Sequence, residues 1–130
     1  MKYLLDVSTL IAFGLRTHQL HGRTATWVQS QSDATLLTCS ITELGFVRIL
    51  AQVPNYGLSV ATSRELLLQL KADLVLRLIF VPDGNDISAL PAWVKTPKQT
   101  TDGHLMQLAK ANGALFATLD ERIPGAFVIP

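Results

Sequence analysis

Lys2-Tyr3-Leu4-Leu5-Asp6-Val7-Ser8 opens the chain with a short apolar run that stops on a carboxylate and passes directly into a helix-starting sequence. Lys2 to Leu5 predicts a strand, and Ser8 is a residue type suited to cap a short helix through Leu15. The same order recurs downstream. Ala34 to Thr38 predicts a second strand, followed by Ser40-Ile41-Thr42-Glu43, which has the capping-box spacing. The helix it opens carries Leu44, Val47 and Leu50 and ends before Pro54. Ala114 to Thr118 predicts another strand with Asp120 just beyond it, and Ala126 to Ile129 a last one. Helices are expected over His18 to Gln31, Ser59 to about Leu74, and Thr101 to Asn112, the last stopped by Gly113. Leu76 to Val81 is apolar on both faces apart from Arg77, as in a strand of a covered sheet. Asp83 to Lys98, broken by Pro91 and Pro97, has room for a short helix at most. Strands alternating with helices predict an α/β domain with a mainly parallel sheet of about five strands, covered by helices on both faces.

The 130 residues are about one domain's worth, and no repeat, low-complexity tract or linker divides them, so a single domain over residues 1–130 is expected. With 48% hydrophobic and 16% charged residues, the chain is too apolar and too poor in charge for disorder. So low a charge density suggests that a partner or a second copy covers part of the surface. Eleven Lys and Arg against ten Asp and Glu give a net charge of +1, hence no global basic field. Nucleic-acid binding would need a local basic patch or bound metal. The one cysteine, Cys39, fits a reducing compartment and reads as small core filling. Asp6 interrupts the N-terminus before a signal-like apolar region forms, and Gln69, Lys71, Asp73 and Arg77 interrupt the most apolar stretch. A cytoplasmic protein is expected.

Ligands of open parallel sheets bind beyond the carboxyl ends of the strands. Four of the ten acids fall there: Asp6 after the first strand, Glu43 in the first turn after the second, Asp102 in the first turn of a later helix, and Asp120 after the Ala114–Thr118 strand. Carboxylates brought together repel, and a hard divalent cation with a preference for oxygen, Mg²⁺ or Mn²⁺, is the simplest compensation. Three of them also have ordinary structural readings. Glu43 can complete the capping box with Ser40, Asp102 can favour a helix N-terminus, and Asp120 can cap the turn Glu121-Arg122-Ile123. An acid closing the first buried strand is harder to explain without a use for it.

Tyr3-Leu4-Leu5-Asp6-Val7-Ser8-Thr9-Leu10-Ile11-Ala12 resembles the opening of PIN-domain proteins. Thr38 to Arg48, with Glu43-Leu44-Gly45-Phe46-Val47-Arg48, resembles their second acidic motif. Thr101-Asp102-Gly103-His104-Leu105 and Ala117-Thr118-Leu119-Asp120 resemble the third and fourth. The four come in family order and span the chain, and the set is most similar to VapC-type toxins of toxin–antitoxin pairs. The resemblance implies a single PIN-like domain with the first strand central and the four acids at one cleft. It further implies a metal-dependent endoribonuclease, with Asp6, Asp102 and Asp120 on Mg²⁺ or Mn²⁺ and Glu43 acting through a second ion or a water. Thr118 would orient the attacking water. Structured RNA such as tRNA or rRNA, a VapB-like antitoxin and a homodimer are the implied partners. Ser8 stands where many members carry Asn, and its hydroxyl would orient Asp6 or a water.

Arg16, Arg23, Arg48 and Arg122 lie near the acidic motifs and are candidates for RNA phosphate contacts, with ordinary surface charge as the alternative. His18 and His21 have helical spacing but no third ligand for zinc, and read as a solvated helix start, with contact to RNA phosphate as the alternative. His104 reads as part of a polar helix face, with the cleft rim as the alternative, and Trp27 and Trp93 as packing, with base-stacking platforms as the alternative. A catalytically silent PIN-like module that binds RNA or protein is the rival function. A phosphoaspartyl domain is disfavoured, because Ser8 occupies the place where a phosphatase of the haloacid dehalogenase kind needs a second Asp.

Overall fold

Alternation along the first strand sets the architecture. In the computed structural model, which describes residues 1–130, Lys2–Leu5 (β1) is the centre of a five-stranded, all-parallel sheet. Its other strands are Thr35–Thr38 (β2), Ile79–Phe80 (β3), Leu115–Thr118 (β4) and Phe127–Val128 (β5), in the order β3-β2-β1-β4-β5. The helices are Val7–Gly14 (α1), His21–Ser30 (α2), Ser40–Gln52 (α3), Val60–Ala72 (α4) and Thr100–Ala111 (α5), with 3-10 turns at Ile87–Ala89 and Pro97–Gln99.

Leu4 is in register with Leu37 and Phe116. These three pack in one apolar cluster with Leu105, Met106, Leu108 and Ala109 of α5. Tyr3, Leu5, Leu36 and Ala117 alternate to the other face and meet Leu10 and Ile11 of α1, Trp27 of α2, Phe46 and Leu50 of α3, and Leu67 of α4. Each fully buried leucine or phenylalanine here contributes about 1.5–3 kcal/mol of transfer free energy. The α/β class, the parallel sheet and the cover on both faces are as expected. Gly45 lets α3 approach α1 closely: a Cβ there would press on the Val7 side chain, 2.8 Å from its Cγ2. That approach brings the helix of Glu43 beside the helix that starts at Asp6.

Several local expectations change. The first helix is capped by Asp6, whose side chain accepts the Val7 N–H, so Ser8 lies inside the first turn. Cys39 is the cap of α3, which puts Thr42 rather than Glu43 at the third helical position. The Thr42 hydroxyl accepts the Cys39 N–H at 3.1 Å, and Glu43 is left out of the capping box. Only two residues of Leu76–Val81 join the sheet, at its edge, with Ile79 and Phe80 exposed. The cause is local. Asp73 Oδ1 accepts the N–H groups of Val75 and Leu76, and Arg77 takes a left-handed backbone (φ 51°), so a turn uses up the start of the apolar run. The expected helix over His18–Gln31 begins only at His21. No helix is long and apolar enough to cross a membrane.

Candidate active site

Asp6 ends the central strand, so its carboxylate stands at the carboxyl edge of the sheet, only 9% exposed. Its N–H donates to the Ala117 carbonyl of β4 at 2.9 Å. Three donors hold the side chain: the Val7 N–H to Oδ1 at 2.7 Å, and to Oδ2 the hydroxyls of Thr118 at 2.7 Å and Ser8 at 3.2 Å. Burial raises the Asp6 pKa; these hydrogen bonds oppose the rise, and the charge of Asp120 adds to it. Thr118 is fully buried at the end of β4. Its hydroxyl gives its one proton to Asp6 and accepts the Asp120 N–H at 3.1 Å, so it links the two acids.

Asp102 enters from the first turn of α5 and is half-buried. Its pKa is pushed up to about 6, by burial first and then by the charges of Asp6 and Asp120, with Arg122 pulling the other way. Residues 6, 102 and 120 therefore share one electrostatic environment. Asp120 caps its turn by accepting the Arg122 N–H at 2.9 Å, and it holds the Arg122 guanidinium at 3.0 and 3.1 Å. Those bonds keep its pKa below the usual carboxylate value.

Glu43 is separate. One oxygen accepts Lys71 Nζ of α4 at 2.8 Å, and the other accepts the Thr38 hydroxyl at 2.6 Å. The Lys71 ammonium also stands 5.4 Å from the centre of the Phe80 ring. Glu43 is not among the charges that shift Asp6 or Asp102.

No three His, Cys, Asp or Glu side chains stand close enough together to enclose an ion as they are placed. Asp120 is turned to Arg122 and Glu43 to Lys71. The donor chemistry of residues 6, 102 and 120 nevertheless fits a hard divalent cation. It is oxygen only, and a cation would offset both the burial and the repulsion from Asp6 and Asp120 that raise Asp102.

No family model matches the chain. Individual relatives do. Ribonuclease VapC44 of Mycobacterium tuberculosis is 31% identical over 97% of this chain and 94% of its own length. Ribonuclease VapC29 of the same organism is 33% identical over 92% of this chain and 86% of its own length. Ribonuclease VapC38, also from that organism, is 31% identical over 90% and 84%. The chain belongs to the VapC family of PIN-domain proteins.

The remaining site residues expected of a VapC protein spread more widely than the acids. Of the four arginines, Arg122 alone is paired with one of the three clustered carboxylates. Arg16 is exposed at the far end of α1 from Asp6, beside a cavity lined by His21, Gln69 and Asp73. Arg23 gives two N–H groups to the Ile129 carbonyl and ties α2 to the chain after β5. Arg48 is exposed on α3. His18 accepts the Leu20 N–H and His21 bonds the Ala12 carbonyl, so both serve the α1–α2 turn. His104 pairs with Asp83 and fastens the segment after β3 to α5. Trp27 is core, as expected. One residue at the site, Lys71, was missed in the sequence, and Trp93, read chiefly as packing, also reaches it. Lys71 gave no signal, because only the α3–α4 packing brings it to Glu43. Trp93 borders a cavity of about 310 Å³ that Asp102, Asp120 and Arg122 also line.

Proposed function

We propose that this VapC-family chain is a Mg²⁺- or Mn²⁺-dependent endoribonuclease, the toxin of a type II toxin–antitoxin pair that acts in the cytoplasm on structured RNA. One observation carries the reading: Thr118 links Asp6 to Asp120, and Asp102 is raised to about 6 by burial and by both, so three carboxylates from distant parts of the chain form one cluster whose paired cation is Arg122 on Asp120. The VapC relatives, each named a ribonuclease and matched over most of the chain, support the same activity.

Asp6, Asp102 and Asp120 would hold the cation. When bound, it lowers the pKa of water and offsets charge on the phosphoryl oxygens. The chain's own residues do the positioning. The Val7 N–H and the Thr118 and Ser8 hydroxyls hold the Asp6 carboxylate in place and favour its ionised form against the burial that raises its pKa, and Thr118 links it to Asp120. Arg122, largely exposed and paired with Asp120, is available to an incoming phosphate. Glu43, held by Lys71 and Thr38, stands beside the cluster and would contribute through a second ion or a water. Leu44, Leu68, Leu74 and Val75, all large and exposed, are apolar surface suited to an antitoxin or a second copy.

Pooled cellular RNA incubated with the protein and Mg²⁺, followed by sequencing of the cut ends, tests the function. With water as the nucleophile, the account expects a few cut sites with 5′-phosphate and 3′-hydroxyl ends. Ends carrying 2′,3′-cyclic phosphate would mean attack by the RNA's own 2′-hydroxyl and would contradict it.

A further inference from the structure

We infer that the cavity bordered by Trp93 is a seat for one unpaired nucleobase of the RNA, with Lys98 placed for the phosphate of the same nucleotide. The inference rests on the ribonuclease reading above and adds to it the class of ligand that lies beside the cut.

The construction begins at Gly103, in the first turn of α5. A Cβ there would run into the Val94 side chain and into Pro91 Cδ at 3.2 Å. The absence of that atom lets the Pro91–Val94 strap lie directly on α5, one residue from Asp102. Trp93 is thereby held partly against the α5 core cluster while still bordering the cavity. Lys98, Gln99, Asp102, Asp120 and Arg122 complete most of the wall. At about 310 Å³ the space is at the small end of the range for small-molecule pockets, enough for a planar base and too small for a duplex. An indole offers a stacking surface that accepts any base, and a neighbouring ammonium offers the phosphate contact, the combination that binds single-stranded nucleic acid. Lys98 is exposed and forms no ion pair with Asp102 or Asp120, although both line the same cavity. Asp102 and Asp120 make the position specific: a nucleotide seated there lies next to the carboxylate cluster, so its neighbouring phosphodiester is the one presented to it.

Cleavage of pooled cellular RNA is measured for the wild type, Trp93→Leu, Trp93→Phe and Lys98→Met, with Lys110→Met as a surface-charge control and melting curves for each. Tryptophan fluorescence is followed while oligoadenylate is added to the Asp6→Asn protein with and without Trp93→Leu. The inference expects Trp93→Leu to lower kcat/KM about fivefold or more, the size of one lost base stack, with most of it recovered by Trp93→Phe. Lys98→Met should flatten the salt dependence of KM by about 0.7 in log–log slope, the share of one phosphate contact on a single strand. Oligoadenylate should quench the fluorescence only where Trp93 is present. A wild type that cuts RNA, with Trp93→Leu folded and equally active and no quenching, would overturn the inference and leave the ribonuclease reading intact. A wild type that cuts no RNA would overturn both.

Discussion

Asp102→Asn should make the metal-free protein more stable while removing a carboxylate from the cluster. The Asp102 carboxyl is raised from 3.8 to about 6, so the folded chain holds its proton more tightly than the unfolded chain does. The cost of the charged form is therefore absent below about pH 3.8, grows between 3.8 and 6, and is complete above 6. At about 1.4 kcal/mol for each tenfold change in proton affinity, the upper bound is about 3 kcal/mol. Asp102 is half-exposed, and solvent screening reduces the gain to roughly 1–1.5 kcal/mol. For a chain of 130 residues that corresponds to a rise in Tm of about 4–6 °C. The assay is thermal unfolding of wild type and Asp102→Asn in EDTA at pH 7.5 and at pH 4.5, where about two thirds of the difference should vanish. A variant no more stable than wild type at pH 7.5, or one with the same gain at both pH values, would refute the idea that Asp102 is held charged against its surroundings.

Thr118→Val removes a 2.7 Å hydrogen bond from the buried Asp6 carboxylate and strands the Asp120 N–H, and should cost about 1–3 kcal/mol in urea unfolding. The loss should be greater at pH 7.5 than at pH 4.5, since the missing donor served the ionised form. Lys71→Met leaves Glu43 partly buried without its cation and should lower stability by about 1–2 kcal/mol. Glu43→Gln added to it should recover most of that loss in the same assay. Gly103→Ala forces the Pro91–Val94 strap away from α5, with an expected cost of about 1–3 kcal/mol and a red-shifted tryptophan emission as Trp93 is released into water.

The parts of this molecule that sequence reveals are those set by short-range pattern. β1, β2 and β4 are buried on both faces, so their apolar runs and the acid beyond each were readable, and the chain order of Asp6, Glu43, Asp102 and Asp120 pointed to one edge of the sheet. β3 was only half legible. Its apolar letters do not reveal that Asp73 and Arg77 turn the chain and leave two exposed residues at the sheet edge. Helix caps were misread by one or two positions, because Asp6 and Cys39 each cap in place of the serine that follows. That shift frees Glu43 from the capping role its spacing suggested. Lys71 was invisible, and the place of Trp93 unreadable, for another reason: each reaches the site by packing between separate elements, α4 on α3 and the Pro91–Val94 strap on α5.

The central claim is that Asp6, Asp102 and Asp120 form a single cation-dependent site that cuts RNA. The most direct measurement places wild type and Asp6→Asn in parallel on the same RNA pool, with Mg²⁺ or Mn²⁺ and then with EDTA. The account predicts cleavage at a few sites by metal-loaded wild type only, lost in EDTA and lost in the folded variant. Equal cleavage by wild type and Asp6→Asn, or cleavage that survives the chelator, would contradict it.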